Sequence, residues 1–223
     1  MCLILHIETA TKQCSVSLAK QGVLLGKIEL AEEGFNHAEK LHVFISQLMS
    51  ESQLSLQNLD AVCVSKGPGS YTGLRIGVSA AKGLCYTLDI PLLSINTLEI
   101  LARKLKVKTD EVIIPMIDAR RMEVFTAHFS SDYCMIKDTY ALILNENSFQ
   151  DVNAANIHII GDGAAKAMEI LTDKRLISHS DILYPSSEEM TEKAYQKYQA
   201  KEWEDVAYFE PFYLKEFMLT PKK

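Results

Sequence analysis

Residues 1–17 read MCLILHIETATKQCSVS: a short apolar run, an acid, a polar turn and a second alternating run. Alternation over residues 3–7 and 14–19 predicts two strands, and Gly22 turns the chain into a third over 23–30. A three-stranded meander opens the fold. Many nucleotide-hydrolysing chains begin with such a strand, a carboxylate and a glycine-bearing hairpin whose backbone amides grip phosphate. Whether this hairpin does the same separates an enzyme from a partner of one.

Working outward, Asn36 and Glu39 have capping-box spacing, and the helix they start carries Leu41, Phe44, Ile45, Leu48 and Met49 on one stripe. Residues 61–64 form a short buried-type strand, GPGSYTG (67–73) a turn, 73–88 a second helix, and 91–95 another strand. Asn96 and Glu99 cap a third helix. After Lys108 the order begins again, with strands over 112–117, 123–129 and 135–144, a turn at 118–121, and then a short helical stretch. A buried strand over 157–160 delivers GDG (161–163) to a helix beginning near Ala164, and 187–201 reads as a last amphipathic helix. This predicts an α/β protein of two βββαβα lobes, 1–106 and 107–223, joined near 104–110, the last helix packing back toward the first lobe.

The bulk numbers narrow the function classes. With 223 residues, 48% hydrophobic and 23% charged, the composition is that of a globular protein. A net charge of −6 argues against this chain alone holding a nucleic acid backbone, because phosphate neutralisation needs a dense Lys/Arg surface. The densest basic stretch, RKLKVK (103–108), reads as a helix end running into a loop, where cations suit the helix dipole. Cys2, Cys14, Cys63, Cys85 and Cys134 form no CxxC pair and sit mostly in apolar runs, which suits a reducing compartment. With no signal-peptide pattern and no apolar run near the roughly 18 residues a membrane span needs, the expected location is the cytoplasm.

The stretch KGPGSYTGLRIG (66–77) is the most informative in the chain. Ser70 or Thr72 can cap the following helix, leaving backbone N–H groups that could hold an anion. On a helical wheel Gly73, Leu74, Ile76, Gly77, Val78, Ala80, Ala81, Leu84, Cys85 and Leu88 cover an apolar arc of roughly 200°, twice the stripe a helix on one sheet needs. The expectation is an exposed pair of helices awaiting a second chain. Its contacts would come from Leu41, Ile45 and Leu48 on the first helix, and Gly73, Leu74, Gly77, Val78, Ala80, Ala81 and Leu84 on the second.

The segments ILHIETATKQCSVSL, GFNHAEKL, SKGPGSYTGLRIGVSAAKGL, PMIDARRMEVF, GDG and EPFYL, in this order, resemble the bacterial TsaB family over nearly the whole chain. The resemblance implies an ASKHA fold, which is actin-like with duplicated ribonuclease-H-like lobes. It also implies a role in making threonylcarbamoyladenosine beside the tRNA anticodon, with three kinds of association: a heterodimer with the catalytic paralogue TsaD, contact with the ATPase TsaE, and a homodimer when alone. tRNA would be met only through the complex.

The catalytic paralogue binds metal through two histidines four residues apart on its first helix. Here His37 is followed at that spacing by Leu41, and His42 lies roughly 140° around the helix, so no metal site is expected. The first turn, Glu8-Thr9-Ala10-Thr11-Lys12, and its counterpart, Asp118-Ala119-Arg120-Arg121, both lack glycine and read as structural. Thr9, Thr11, Lys12, Gly161 and Gly163 are the residues left for a weak nucleotide contact, and no cofactor is assigned. Two other readings stay open: an active ASKHA kinase or metallopeptidase using Glu8 and Asp118, and a plain homodimeric binding module.

Overall fold

The computed structural model describes residues 2–32 and 37–215; Asn36 of the expected capping box lies outside them. Strands β1 (Leu3–Glu8), β2 (Gln13–Lys20) and β3 (Val23–Ala31) form the opening meander. Helix α1 (His37–Glu51), β4 (Ala61–Ser65), α2 (Tyr71–Leu88), β5 (Leu92–Ile95) and α3 (Thr97–Ala102) complete the first half. The second half holds β6 (Val112–Asp118), β7 (Glu123–Phe129), β8 (Met135–Ile143), β9 (Ile157–Ile160), α4 (Ala164–Met168), β10 (Leu176–Ser178) and α5 (Thr191–Ala200).

The sheets are ordered β3-β2-β1-β4-β5 and β10-β9-β6-β7-β8. Read from the meander edge, each is 3-2-1-4-5. In both, the first strand pairs antiparallel with the second and parallel with the fourth. Two sheets of one topology make this the duplicated ribonuclease-H-like, ASKHA arrangement. Strand β10 escaped the sequence reading because three residues give no periodicity to detect. The helix expected after β8 is absent: residues 146–151 are turns. Their polar side chains compete for the backbone, Ser148 Oγ accepting from Asn145 N–H at 3.0 Å and Asn145 Oδ1 from Asn147 N–H at 2.9 Å.

Strand β1 is buried on both faces, which is why it reads as a nearly unbroken apolar run. Leu3, Leu5 and Ile7 face α1 and α2 in one core; Cys2 and Ile4 face the other way, against Met190 and Ala194 at the start of α5. Helix α3 reciprocates. Its Leu98, Leu101 and Ala102 pack on Ile113, Ile117, Ala127 and Phe129 of the second sheet. Each half thus covers a face of the other's sheet, and the halves meet over apolar surface rather than a bare hinge.

The wide apolar arc of α2 is not bare. Leu41, Ile45, Leu48, Leu74, Val78 and Ala81 are each at most 4% exposed, and Gly73 and Gly77 are buried as well. Their covering is the chain's own first sheet, so the expectation that these eight residues wait for a second polypeptide is corrected. The inference failed because it allotted the helix one neighbour. In the fold α2 meets β4 and β1 beneath, the end of the first hairpin at its N-terminus, and α1 and the C-terminal segment at its sides. Of the ten residues, Ala80 and Leu84 keep open surface, together with Ile76 on α2 and Phe44 on α1.

Candidate functional site

The two meanders point their first hairpins at one another across a cleft of about 620 Å³. Thr11 and Lys12 line it from the first hairpin, Ser70, Tyr71 and Thr72 from the start of α2, Asp118 and Arg120 from the second hairpin, and Asp162 from the GDG turn. The sequence candidates Thr11 and Lys12 do reach this cleft; Thr9, Gly161 and Gly163 do not line it. Thr9 is buried, its hydroxyl donating to Gly73 O at 2.7 Å.

The glycines of KGPGSYTGLRIG explain how α2 is seated. A Cβ on Gly69 would lie 2.3 Å from Ala10 O, one on Gly73 2.1 Å from Thr9 O, and one on Gly77 2.3 Å from Thr9 Oγ1. Gly73 and Gly77, four apart on α2, present one smooth flank to Thr9, and Gly69 lets the turn before the helix close on Ala10. Ser70 is the cap, its Oγ accepting from Gly73 N–H at 3.3 Å, and Ser70 N–H donates to Ala10 O at 2.7 Å. The signature therefore docks a helix start onto the first hairpin.

Both hairpins are closed by the chain's own groups. Glu8 is fully buried, and its Oε1 accepts the Ala10 N–H at 2.6 Å, an amide that a phosphate-gripping turn would offer to its ligand. Burial pushes the Glu8 carboxyl up to about 7, against the lowering effect of the Ala10 hydrogen bond and with nearby Glu189 adding to the rise. In the second hairpin Asp118 Oδ1 accepts from Arg120 N–H at 2.8 Å and pairs with the Lys166 ammonium. Lys166 also donates to Arg121 O at 2.9 Å and Glu123 O at 2.6 Å, a cation built in beside the second acid. Glu8 sits inside the first half and Asp118 on the cleft wall, so the two acids do not share an exposed site.

Both glycine amides of GDG are likewise occupied. Gly161 N–H donates to Ile182 O at 2.8 Å and Gly163 N–H to Met116 O at 3.1 Å. Gly161 has φ +103°, and a Cβ there would lie 2.1 Å from Met116 O, so glycine is required for packing on β6. Asp162 Oδ1 accepts from Asp118 N–H at 2.8 Å, tying the two turns together, and burial raises the Asp162 carboxyl above its ordinary range. On α1, His37 donates from Nε2 to Thr11 O at 2.8 Å and is buried, while His42 is exposed on a different side. Among the described residues no group of three or more His, Cys, Asp or Glu side chains could hold a metal ion.

Two contributors were invisible in the sequence. Lys166 lies 48 positions from its partner Asp118. The C-terminal segment crosses back to the cleft rim, where Phe212 N–H donates to Lys66 O at 2.7 Å and Tyr213 lies 4.9 Å from Tyr71. Arg75 rests over the Tyr71 ring at 4.3 Å. No spacing rule links such distant positions. Among the described residues no helix is long and apolar enough to cross a membrane.

Comparison with known proteins agrees with this geometry. The family model "TsaD: tRNA N6-adenosine threonylcarbamoyltransferase" matches residues 32–156, more than half of the chain. The tRNA threonylcarbamoyladenosine biosynthesis protein TsaB of Haemophilus influenzae is 28% identical over 95% of this chain and 93% of its own. TsaB of Escherichia coli K12 is 28% identical over 95% of this chain and 94% of its own. A solved Pseudomonas aeruginosa structure, described as similar to the peptidase YeaZ, superposes with a TM-score of 0.84 at 26% identity, covering 96% of this chain and 100% of that one. A family model over more than half of the chain, relatives matched along nearly their whole length and a solved structure that superposes on it lead to one placement: the chain belongs to the TsaB family, within the wider family that the TsaD model describes.

Proposed function

We propose that this protein is a non-catalytic subunit of the machinery that makes threonylcarbamoyladenosine beside the tRNA anticodon. It would bind and activate a TsaD-like catalytic paralogue, associate with a TsaE-like ATPase, form a homodimer when alone, and meet tRNA only through the complex. The relatives named for this pathway, matched along nearly their whole length, support the pathway. The observation that carries the non-catalytic role is the internal closure of both hairpins. The Ala10 amide is taken by Glu8, and Asp118 is neutralised by Lys166. An ASKHA enzyme needs those groups turned toward nucleotide and metal.

The docking surface in this reading is the part of the α1/α2 layer left open: Phe44, Ile76, Ala80 and Leu84, with exposed Val43 beside them. Gly83 extends it, since a Cβ there meets nothing within 4 Å. Half-buried apolar side chains around small residues let a second helix layer approach closely. Co-expression with the TsaD-like paralogue, followed by intact-complex mass measurement and assay of the modified adenosine, tests the reading. Expected is a stable heterodimer that modifies tRNA while this chain alone does not. Micromolar Mg-ATP affinity with turnover by the isolated chain would favour the enzyme reading instead.

A further inference from the structure

At the β9/β10 edge of the second sheet lies a cluster that the cleft does not use. His158, on β9, faces His179 in the turn after β10, with 2.9 Å between His158 Nδ1 and His179 Nε2. The other nitrogen, His158 Nε2, is 3.1 Å from Glu111 Oε2. Glu111 is held in turn: its Oε1 accepts from Asn156 Nδ2 at 2.7 Å and its Oε2 from Lys108 N–H at 2.9 Å. His158 and Glu111 are both buried, and His179 is half-exposed.

The partners dictate the protons. Glu111 acts as an acceptor toward Asn156 and Lys108, so His158 Nε2 carries the hydrogen and donates to the carboxylate. In the neutral imidazole His158 Nδ1 is then a lone pair aimed at His179. A carboxylate fixing one histidine nitrogen so that the other offers its lone pair is the arrangement that orients metal-ligating imidazoles.

We infer that His158 Nδ1 and His179 Nε2 form a two-ligand site for a divalent transition-metal ion of imidazole preference, Zn²⁺ being the probe, with Glu111 as positioning residue. Two imidazole nitrogens on one tetrahedral ion stand about 3.3 Å apart, given bonds of about 2.0–2.1 Å. The pair must therefore open by about 0.4 Å, and the half-exposed His179 is the side chain able to give. On binding, the His179 proton moves from Nε2 to Nδ1, a tautomer exchange that needs no other reactant. Water fills the remaining positions, and two protein ligands set the expected affinity in the micromolar range.

The test is calorimetric titration of the chelator-treated full chain with ZnCl₂ at pH 7.5. Expected are one equivalent bound at micromolar Kd, loss of at least tenfold in His179→Ala, and a weakening of about tenfold in Glu111→Gln, whose carboxamide orients His158 less well. His42→Ala, which removes an exposed histidine elsewhere, should bind as the parent does. Because His179 is half-exposed, its variant should keep the parent's circular dichroism, separating a lost ligand from a lost fold. No binding by the parent, or unchanged binding by a folded His179→Ala, would show a hydrogen-bonded histidine pair and nothing more.

Discussion

Adding one methyl group at each of three glycines on α2 should give three different results, set by what that methyl meets. At Gly73 it would lie 2.1 Å from the Thr9 backbone oxygen, at Gly77 2.3 Å from the Thr9 hydroxyl, and at Gly83 it would meet nothing within 4 Å. Alanine gains about 1 kcal/mol over glycine in a helix interior, so Gly83→Ala should stabilise by roughly that amount. Overpacking costs about 1–3 kcal/mol, and at Gly73 the obstacle is main chain that no rotamer relieves; Gly73→Ala should be destabilised by about 2 kcal/mol net. At Gly77 the obstacle is one side-chain atom. Thr9→Ala removes it, at a cost of about 1 kcal/mol for the hydrogen bond to Gly73 O. Combined with Gly77→Ala it should recover about 1–2 kcal/mol relative to additivity, and combined with Gly73→Ala it should recover less, because the obstructing Thr9 backbone oxygen stays in place. Urea unfolding midpoints at constant m measure all six variants. A Gly73→Ala protein as stable as the parent, or strict additivity in the Gly77/Thr9 pair, would refute the seating of α2 on the first hairpin.

The buried Glu8 carboxyl makes a pH prediction. In the unfolded chain it ionises above its ordinary value of 4.5, but in the fold it keeps its proton to about 7, so the folded state binds more protons in between and stability falls as pH rises through that window. Glu8→Gln, which keeps an acceptor for Ala10 N–H, should match the parent below pH 4.5. It should be more stable by on the order of 3 kcal/mol above pH 8, as read by thermal melts across pH; equal melting points at high pH would refute a buried acid. Lys166→Met should cost about 2 kcal/mol and raise amide hydrogen exchange in residues 118–123, because three acceptors lose one charged donor. Unchanged exchange there would show that the second hairpin closes without it.

How much of this was legible in the sequence depended on distance along the chain. Period-2 runs and the caps at Ser70 and Asn96 are local signals, and the structure has both caps, Asn96 Oδ1 accepting from Leu98 N–H at 2.8 Å. Repetition of element order made the two-lobe duplication readable. Glycine was noticed and misassigned. Gly73 and Gly77 do mark a close approach, but to Thr9 of the same chain, and a helical wheel shows how wide an apolar face is without showing what covers it. Neither opening turn contains glycine, which the sequence shows directly, whereas the groups that close them could not be seen in it. Glu8 bonds two residues away, within reach of inspection, but Lys166 comes from 48 residues downstream.

The central claim, that this chain serves a catalytic paralogue through the open strip of α1 and α2, is tested most directly at Leu84. Leu84→Glu places a charge on a half-buried position at the rim of the first core cluster, so the variant's circular dichroism and thermal melt are compared with the parent's first. Native mass spectrometry of the variant co-expressed with the TsaD-like paralogue should show the two chains separate and this one folded, with the parent pair intact under the same conditions. A heterodimer of undiminished abundance with Leu84→Glu would contradict the account.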